Sequence, residues 1–461
     1  MRELIKSTAN KIGESVQIKG WVHSRRDHGK IIFLDIRDVT GIIQAVAAPD
    51  SPEGYEMAKK LRPEFVVQVT GTIAKRPEKL INPNLETGSV EMQIKKLVIL
   101  NEAITPPFEI DKDTKGINED LRLKYRYLDL RSERMTKNMI LRHKCNQFVR
   151  NFLSENGFYE IETPFISKST PEGARDFLVP SRKQPGKFYA LPQSPQQDKQ
   201  MLMVAGIDRY FQIVRCFRDE DERGQRQPEF TQIDAEMSFI EQEDILQIAE
   251  QLITDLVKTI CPDQIIQETP FPRISYKDAI AKYNSDKPDF RKDPNDKSSL
   301  AFEWVVDFPM FEYKEGDKRW GAVHHPFTSI AKKDLEKLEK NDLGNIRAQQ
   351  YDLVLNGNEV LGGSIRTHDP KTLAKVFEVL GHTKEEIEQK FGHLLTAFKF
   401  GVPPHGGFAV GYDRLIMVLA GEENIREVIA FPKNGEAYDP LMDSPSEVDT
   451  KQLRELGISI K

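Results

Sequence analysis

Two strand-like runs held apart by a ten-residue polar loop limit what this 461-residue chain can fold into more than any other feature. The first, RYFQIVRCFR, ends at Arg218, and the second, EFTQIDAEMS, begins at Glu229. Successive side chains of a strand point to opposite faces. Thr231, Ile233, Ala235 and Met237 therefore share one face, fit for a core, while Phe230, Gln232, Asp234 and Glu236 share the other. The loop from Asp219 to Pro228 is too long and too polar for a tight turn. Arg218 offers a guanidinium that can grip a phosphate or carboxylate through two hydrogen bonds, Phe230 a ring on which a purine can stack, and Glu220 an acceptor for an exocyclic amine. Together they describe an ATP site. Composition alone describes equally well an exposed charged hairpin with a few ion pairs.

The length allows two or three domains with large cores. No apolar run reaches the roughly 18 residues of a membrane span, and MRELIKSTANKIGES lacks the apolar centre of a secretion signal, so a cytoplasmic protein is expected. Cys145, Cys216 and Cys261 are far apart with no CxxC spacing, so neither a disulfide framework nor a zinc site is indicated. The net charge of −6 argues against a general nucleic-acid binder. Residues 1–105 nevertheless carry 16 Lys+Arg against 13 Asp+Glu, a mild positive bias that allows local contact with RNA.

FRDED followed by RQPEFTQID resembles motif 2 of the class II aminoacyl-tRNA synthetases and, in detail, the aspartyl-tRNA synthetases of bacterial type. The resemblance covers nearly the whole chain. It implies an α+β protein: an N-terminal five-stranded OB-fold barrel (1–105), a hinge (106–133) and a catalytic domain (134–461) with an antiparallel sheet flanked by helices. Independently, five strand-like runs near 15–23, 30–37, 42–48, 64–75 and 89–99, with the helical EGYEMAKKL between the third and fourth, fit an OB-fold. Arg25, Arg26, Phe33 and Gln44 fall where such barrels hold single strands, and unpaired bases are read by stacking and edge hydrogen bonds. Without the resemblance, Phe33 reads as a core residue. With it, Phe33 stacks on the middle anticodon base, Arg26 and Gln44 read its neighbours, and His28 and Lys79 face the third. His28 follows the pattern of relaxed members that also charge tRNA(Asn), and Lys79 that of strict ones.

After the hinge, Leu141, Cys145, Phe148, Val149 and Phe152 make one helical stripe ahead of Gly157, as any amphipathic helix would. This helix and Pro164 of GFYEIETP resemble motif 1, implying a homodimer. TPEGARDF and QSPQxxKQ resemble the loop and segment that select aspartate, with Glu172 facing the ammonium and Lys199, beside Gln196, the side-chain carboxylate. Gln197 and Asp198 stand where relatives commonly carry bulkier apolar residues, and they are expected to point away from the ligand. Near 290–300, RKDPNDKSSLAFEW replaces the inserted domain of bacterial-type members.

In YDLVLNGNEVLGGSIRTHD, Asn356-Gly357 signals a type I′ hairpin that pairs Val354 with Glu359 and Asp352 with Leu361. Asp352 and Glu359 become diagonal neighbours that would repel unless a cation lay between them, and a bulge at Gly362-Gly363 would return Arg366 to their face. An edge hairpin with solvated acids fits the same pattern. By resemblance, Asp352 and Glu359 hold Mg²⁺ and ATP, Arg366 clamps the substrate side chain, and His324 of HHPFT borders the aspartate pocket, its protonation tuning it. GVPPHGGFAVGYDRL resembles motif 3, bringing Gly411, Tyr412, Asp413 and Arg414 to the phosphate tail at a helix start. The ATP set is then Arg218, Asp219, Glu220, Gln227, Phe230, Glu359 and Gly411 to Arg414. The aspartate set is Glu172, Gln196, Lys199, Arg218, Asp234, His324 and Arg366, with Arg218, Glu359 and Arg414 catalytic. An asparaginyl or lysyl relative would differ at Lys199 and Arg366, and a tRNA-independent amide-forming enzyme would have no use for the barrel.

Overall fold

Residues 2–169, 173–220, 225–316 and 318–460 are described by the computed structural model. The chain divides into two units, Met1–Thr136 and Lys137–Lys461.

In the first unit, strict alternation builds a closed barrel. Strands β1 (Ser15–His28), β2 (Ile31–Asp38), β3 (Gly41–Ala47), β4 (Val66–Lys75) and β5 (Val90–Asn101) close in the order β1-β2-β3-β5-β4, with helix α1 (Pro52–Ala58) between β3 and β4. Ile32, Leu34 and Ile36 point into the core with Val16, Ile18 and Val22. Their neighbours Phe33, Asp35 and Arg37 point out. Closure leaves no unpaired edge, so this small sheet needs no second layer. The β2–β3 turn is fixed by Asp38, whose Oδ1 accepts from the Thr40 amide and hydroxyl at 2.7 and 2.6 Å. The segment expected as a hinge contains two short helices, Glu119–Lys124 and Arg126–Asp129. They gather on the fully buried carboxylate of Asp129, which takes Arg126 at 2.6 Å and Arg122 at 3.3 Å.

The second unit is built on one eight-stranded sheet. In spatial order its strands are β9 (Arg273–Ser275), β10 (Phe302–Val306), β11 (Gln350–Leu355), β12 (Asn358–Ile365), β13 (His405–Gly411), β8 (Glu229–Ser238), β7 (Arg209–Phe217) and β6 (Tyr159–Glu160). The six central strands are antiparallel, as expected, but the short edge strands β6 and β9 join parallel, so the sheet is mixed. One face is covered by helix α2 (Glu133–Glu155), which contributes Cys145, Val149 and Phe152 to the main core. Helix α4 (Gln242–Ile260) is laid against the same core by its stripe of Ile245, Leu246, Ala249, Leu252, Ile253, Leu256 and Val257. A capping box between Glu241 and Asp244 starts α4, since the first amides of a helix have no partners of their own. The opposite face of the sheet opens as a cleft.

Candidate active site

The cleft, about 510 Å³, lies over β8, β12 and β13. Pairing of Glu229 with Phe217 and of Gln232 with Val214 sets the β7–β8 register. Phe230, Gln232 and Asp234 then face the cleft, while Ile233 and Ala235 are wholly buried on the opposite side. The Arg218 guanidinium lies over the Phe230 ring, 5.0 Å from its centre. At that distance the two are in direct cation–π contact, and the Phe230 ring is the surface on which a flat base can stack. Glu220 and Gln227 line the same region. Gln227 exchanges two hydrogen bonds with the Lys433 backbone, so its amide holds the loop and has little left for a ligand. Asp219 is corrected: it lies outside the cleft lining, its amide donating to the Arg175 carbonyl at 3.0 Å.

Deeper in the cleft, four buried charges form one cluster. Lys199 Nζ stands 2.8 Å from Asp234 Oδ2 and 3.3 Å from Glu236 Oε2. Arg366 meets Glu236 through two bonds, Nε to Oε1 at 2.9 Å and Nη2 to Oε2 at 3.1 Å. Lys199 comes from helix α3 (Gln196–Val204), Arg366 from just beyond β12, and both carboxylates from the cleft face of β8. Burial opposes the charge on Glu236, but Arg366 and Lys199 outweigh it and bring its carboxyl down to about 2. Asp234 goes the other way: burial raises it despite Lys199, and its Oδ1 is buried without a partner among the described residues. The close approach that Glu236 needs falls on Gly407, where a Cβ would lie 2.1 Å from Glu236 Oε2. Glu236 is missing from the residues singled out in the sequence, although the alternation of β8 placed it on the right face.

Both adjacent histidines, His324 and His325, line the cleft. His325 is the one that touches Arg366, whose Nη1 donates to Nε2 at 2.9 Å. That bond requires a neutral His325 with its proton on Nδ1, beside the Thr328 hydroxyl at 3.4 Å. Both rings are held well below the ordinary histidine range, first by burial and then by neighbouring cations. Water in the open cleft reaches the His324 ring, so burial weighs less there than for His325. The bond from Arg366 keeps the His325 ring neutral near neutral pH.

The hairpin β11–β12 has its expected turn, with φ of +49° at Asn356 and +77° at Gly357, and pairs Val354 with Glu359. Its bulge is elsewhere. Leu353 pairs with Leu361 and Asp352 with Gly362, leaving Val360 as the extra residue. Val360 is wholly buried, so the bulge puts a core side chain inward and turns Glu359, Gly362 and Arg366 toward the cleft together. Gly362 matters for the room it leaves. A Cβ there would sit 3.1 Å from Asp352 Oδ1 and 3.6 Å from Glu359 Oε1, filling the cradle between them. Burial and the charge of Glu359 raise the Asp352 carboxyl well above its ordinary value. Two oxygen donors in an electrostatically strained pair fit a hard cation such as Mg²⁺. Among the described residues no third His, Cys, Asp or Glu joins them, which leaves the other coordination positions to phosphate and water oxygens.

Helix α5 (Tyr412–Leu419) starts at the cleft with Gly411 as its cap. Arg414 lines the cleft and donates Nη1 to the Glu359 carbonyl, 4.0 Å from that residue's carboxylate. Tyr412 is corrected: its ring is buried in the main core and its hydroxyl donates to the Arg142 carbonyl at 2.8 Å. Asp413 sits at the cleft floor, but its carboxylate is spent on Arg142 at 2.5 Å and the Thr231 amide at 2.7 Å, so it positions β8 against α5. Gln196 lines the cleft and donates to Gln200 at 3.1 Å. Glu172 lies outside the described residues. Gln193, not singled out in the sequence, clasps Ala174 through both backbone groups at 2.9 and 2.8 Å and so holds the Gly173-Ala174 wall of the cleft.

In the barrel, Phe33 is on the outer face of β2 and not in the core, opposite Arg26 of β1 and Val46 of β3. His28 meets its ring edge-on at 5.6 Å. Gln44 pairs with Asp35, whose carboxylate holds Arg26 at 3.0 Å. Lys79 is exposed on a short turn between β4 and β5.

Residues 118–435 match the family of class II tRNA synthetases (D, K and N), and residues 16–100 match the OB-fold nucleic acid binding domain. The chain is 40% identical to the aspartate–tRNA ligase of Staphylococcus carnosus (strain TM300) over 579 aligned positions, covering 98% of each chain. It is 42% identical to the aspartate–tRNA(Asp/Asn) ligase of Desulfatibacillum aliphaticivorans, covering 97% of this chain and 96% of the relative. Its fold is similar to that of asparaginyl-tRNA synthetase from Pyrococcus horikoshii complexed with asparaginyl-adenylate, with a TM-score of 0.75 at 22% identity over 94% of this chain and 98% of the other.

Proposed function

The chain belongs to the aspartate–tRNA ligase family of class II aminoacyl-tRNA synthetases, and on that premise we propose that it activates L-aspartate with ATP and transfers it to the 3′ end of tRNA(Asp). The observation that carries the reading is the buried cluster of Lys199, Asp234, Glu236 and Arg366 at the bottom of a cleft whose mouth stacks Arg218 on Phe230. Lys199 and Arg366 are cations that a substrate side-chain carboxylate can share with Glu236, and Lys199 has the looser grip on Glu236, at 3.3 Å. A carboxamide brings no charge to that exchange, which favours aspartate over asparagine. The spare Asp234 Oδ1 is an acceptor for the substrate ammonium.

In the first step an oxygen of the aspartate α-carboxylate attacks the α-phosphorus of ATP and the bond to pyrophosphate breaks. Arg218 bridges the two reactants, Phe230 holds the adenine, and Arg414 at the start of α5 takes the end of the phosphate tail. Asp352 and Glu359 are the residues that would hold Mg²⁺, which when bound neutralises phosphate charge. In the second step the 3′ hydroxyl of the terminal adenosine attacks the activated carbonyl and AMP leaves. Gly411 offers backbone and no side chain at the cleft edge.

The outer face of the barrel, with Phe33, His28, Arg26 and Gln44, is read as the anticodon surface. Exposed apolar side chains at Tyr159, Phe165 and Ile166, next to the sheet's edge strand β6, support a homodimer. Alignment with the S. carnosus relative runs to 579 positions against 461 residues here, which supports the absence of an inserted domain near 290–300. Among the described residues no helix is long and apolar enough to cross a membrane, and the cytoplasm supplies the substrates this reading requires. With ATP, labelled aspartate and purified tRNA(Asp), the protein should yield acid-precipitable aspartyl-tRNA. Unlabelled tRNA after full incubation with folded protein would sink the reading.

A further inference from the structure

Helix α3 separates two cavities. Gln196 and Lys199 face the active-site cleft, whereas Gln197, Asp198 and Met201, turned away by the helical period of about 3.6 residues, line a second cavity of about 280 Å³. Gln197 is only 8% exposed, yet neither its Oε1 nor its Nε2 has a hydrogen-bond partner among the described residues. A buried polar group left unpaired is uncommon and calls for a ligand or an ordered solvent. Asp198 beside it has no partner among the described residues either, and burial raises its carboxyl.

Asp176 and Lys168, which also line the cavity, have hydrogen-bond partners. Asp176 accepts from the Ser169 hydroxyl at 2.6 Å and from Gln193. The Lys168 ammonium donates to the Gln389 carbonyl. His393 is held below the ordinary histidine range, by burial and then by Lys168, so it adds no positive charge at neutral pH. The cavity thus offers a spare carboxylate and a spare carboxamide, with Lys168, held to a carbonyl, as its cation among the described residues. An anion would lie against the Asp198 carboxylate. A metal ion would find no group of three His, Cys, Asp or Glu ligands among the described residues. A cation that brings its own N–H donors satisfies both spare groups.

We propose that this second cavity binds a small organic cation through a primary ammonium group, with Asp198 as counter-charge and Gln197 Oε1 as the neutral acceptor. The occupant touches a wall shared with the active site, because Gln193 and Ser194 line both cavities and Gln193 clasps Ala174 of the cleft wall. Filling the cavity therefore stiffens that wall and tightens aspartate binding.

Calorimetric titration of the full chain, without nucleotide or tRNA, uses putrescine as the probe and tetramethylammonium, equally cationic at each nitrogen but without N–H donors, as control. Saturable putrescine binding is expected, weakened at least tenfold in both Asp198→Asn and Gln197→Leu, with little or no binding of tetramethylammonium. Absence of saturable binding, equal binding by the variants, or equal binding of the control would overturn the site. Asp198→Asn is nearly isosteric, so its circular dichroism and Tm should match the parent. In a second titration, putrescine should lower the Kd for aspartate in the parent but not in Asp198→Asn. An unchanged Kd would overturn the coupling through Gln193. The putrescine titration does not depend on the proposed reaction, so the two can fail separately.

Discussion

Glu236 shows how a single carboxylate can decide what a pocket accepts. An acid at the bottom of a site for an acidic substrate looks misplaced until its two partners are counted. Lys199 and Arg366 together carry more positive charge than Glu236 alone can cancel, and Asp234, 2.8 Å from Lys199, is the fourth member of the cluster. Arg366→Leu should therefore lower kcat/KM for aspartate by about 2–5 kcal/mol; a fall of less than tenfold would remove Arg366 from the site. Lys199 was legible through the resemblance of its segment to one that selects aspartate, and Arg366 through the resemblance of the hairpin stretch that ends in it. Glu236 was not, because the partner that gives it meaning is 130 residues away along the chain. Likewise two adjacent histidines cannot be told apart in a sequence, and only the fold turns His325 toward Arg366. A third histidine gives a pH prediction. His405 is depressed to about 4, chiefly by burial, with Nδ1 beside the Pro403 carbonyl and Nε2 beside Gln200. A depressed histidine stays neutral in the fold while the unfolded chain takes up its proton near its ordinary pKa of about 6.5. The stability it supports is complete above that value and is lost as pH falls from there toward 4. Urea midpoints should drop between pH 7.5 and 5.5, and His405→Gln should flatten the drop; an unaltered slope would contradict the assignment.

At the scale of elements, the β11–β12 hairpin carries the proposed cation site. Its turn was legible because Asn-Gly supplies two positive φ values at little strain. Its register was not, because the bulge follows from burying Val360, and burial depends on strands and helices far away in sequence. Gly362 is the sensitive point. Gly362→Ala puts a methyl group 3.1 Å from Asp352 Oδ1, so the Mg²⁺ concentration for half-maximal pyrophosphate exchange should rise while the fold, checked by circular dichroism, persists. An unchanged Mg²⁺ dependence would remove the cradle. Glu359→Gln should abolish adenylate formation and leave tRNA binding, measured by filter retention, nearly intact. Loss of both in a folded protein would contradict the division of labour between the hairpin and the barrel. Strands β7 and β8 lie at the other extreme: their alternation alone gave the cleft face, whereas the parallel edge strands are too short for a periodic signal.

Across the whole molecule, the five-strand barrel and the sheet domain were legible as successive periodic stretches, whereas the segment 106–133 was not, since its helices are short and gather on one buried acid, Asp129. On the proposed reading the barrel also decides which tRNA is served. Anticodons for aspartate and asparagine differ only at the third base, so discrimination rests on groups such as His28, whose imidazole, edge-on to Phe33, can donate or accept. Measurable aspartylation of tRNA(Asn) is expected, reduced by His28→Leu; a preference for tRNA(Asp) of at least about a thousandfold, roughly 4 kcal/mol, would give the decision to Lys79 instead. The central claim, that the buried cluster selects aspartate for activation by ATP, is tested most directly by amino-acid-dependent ATP–pyrophosphate exchange. L-aspartate should drive exchange, and L-asparagine and L-lysine at equal concentration should not. Exchange driven as well by asparagine, or none with aspartate in folded, Mg²⁺-supplied protein, would contradict it.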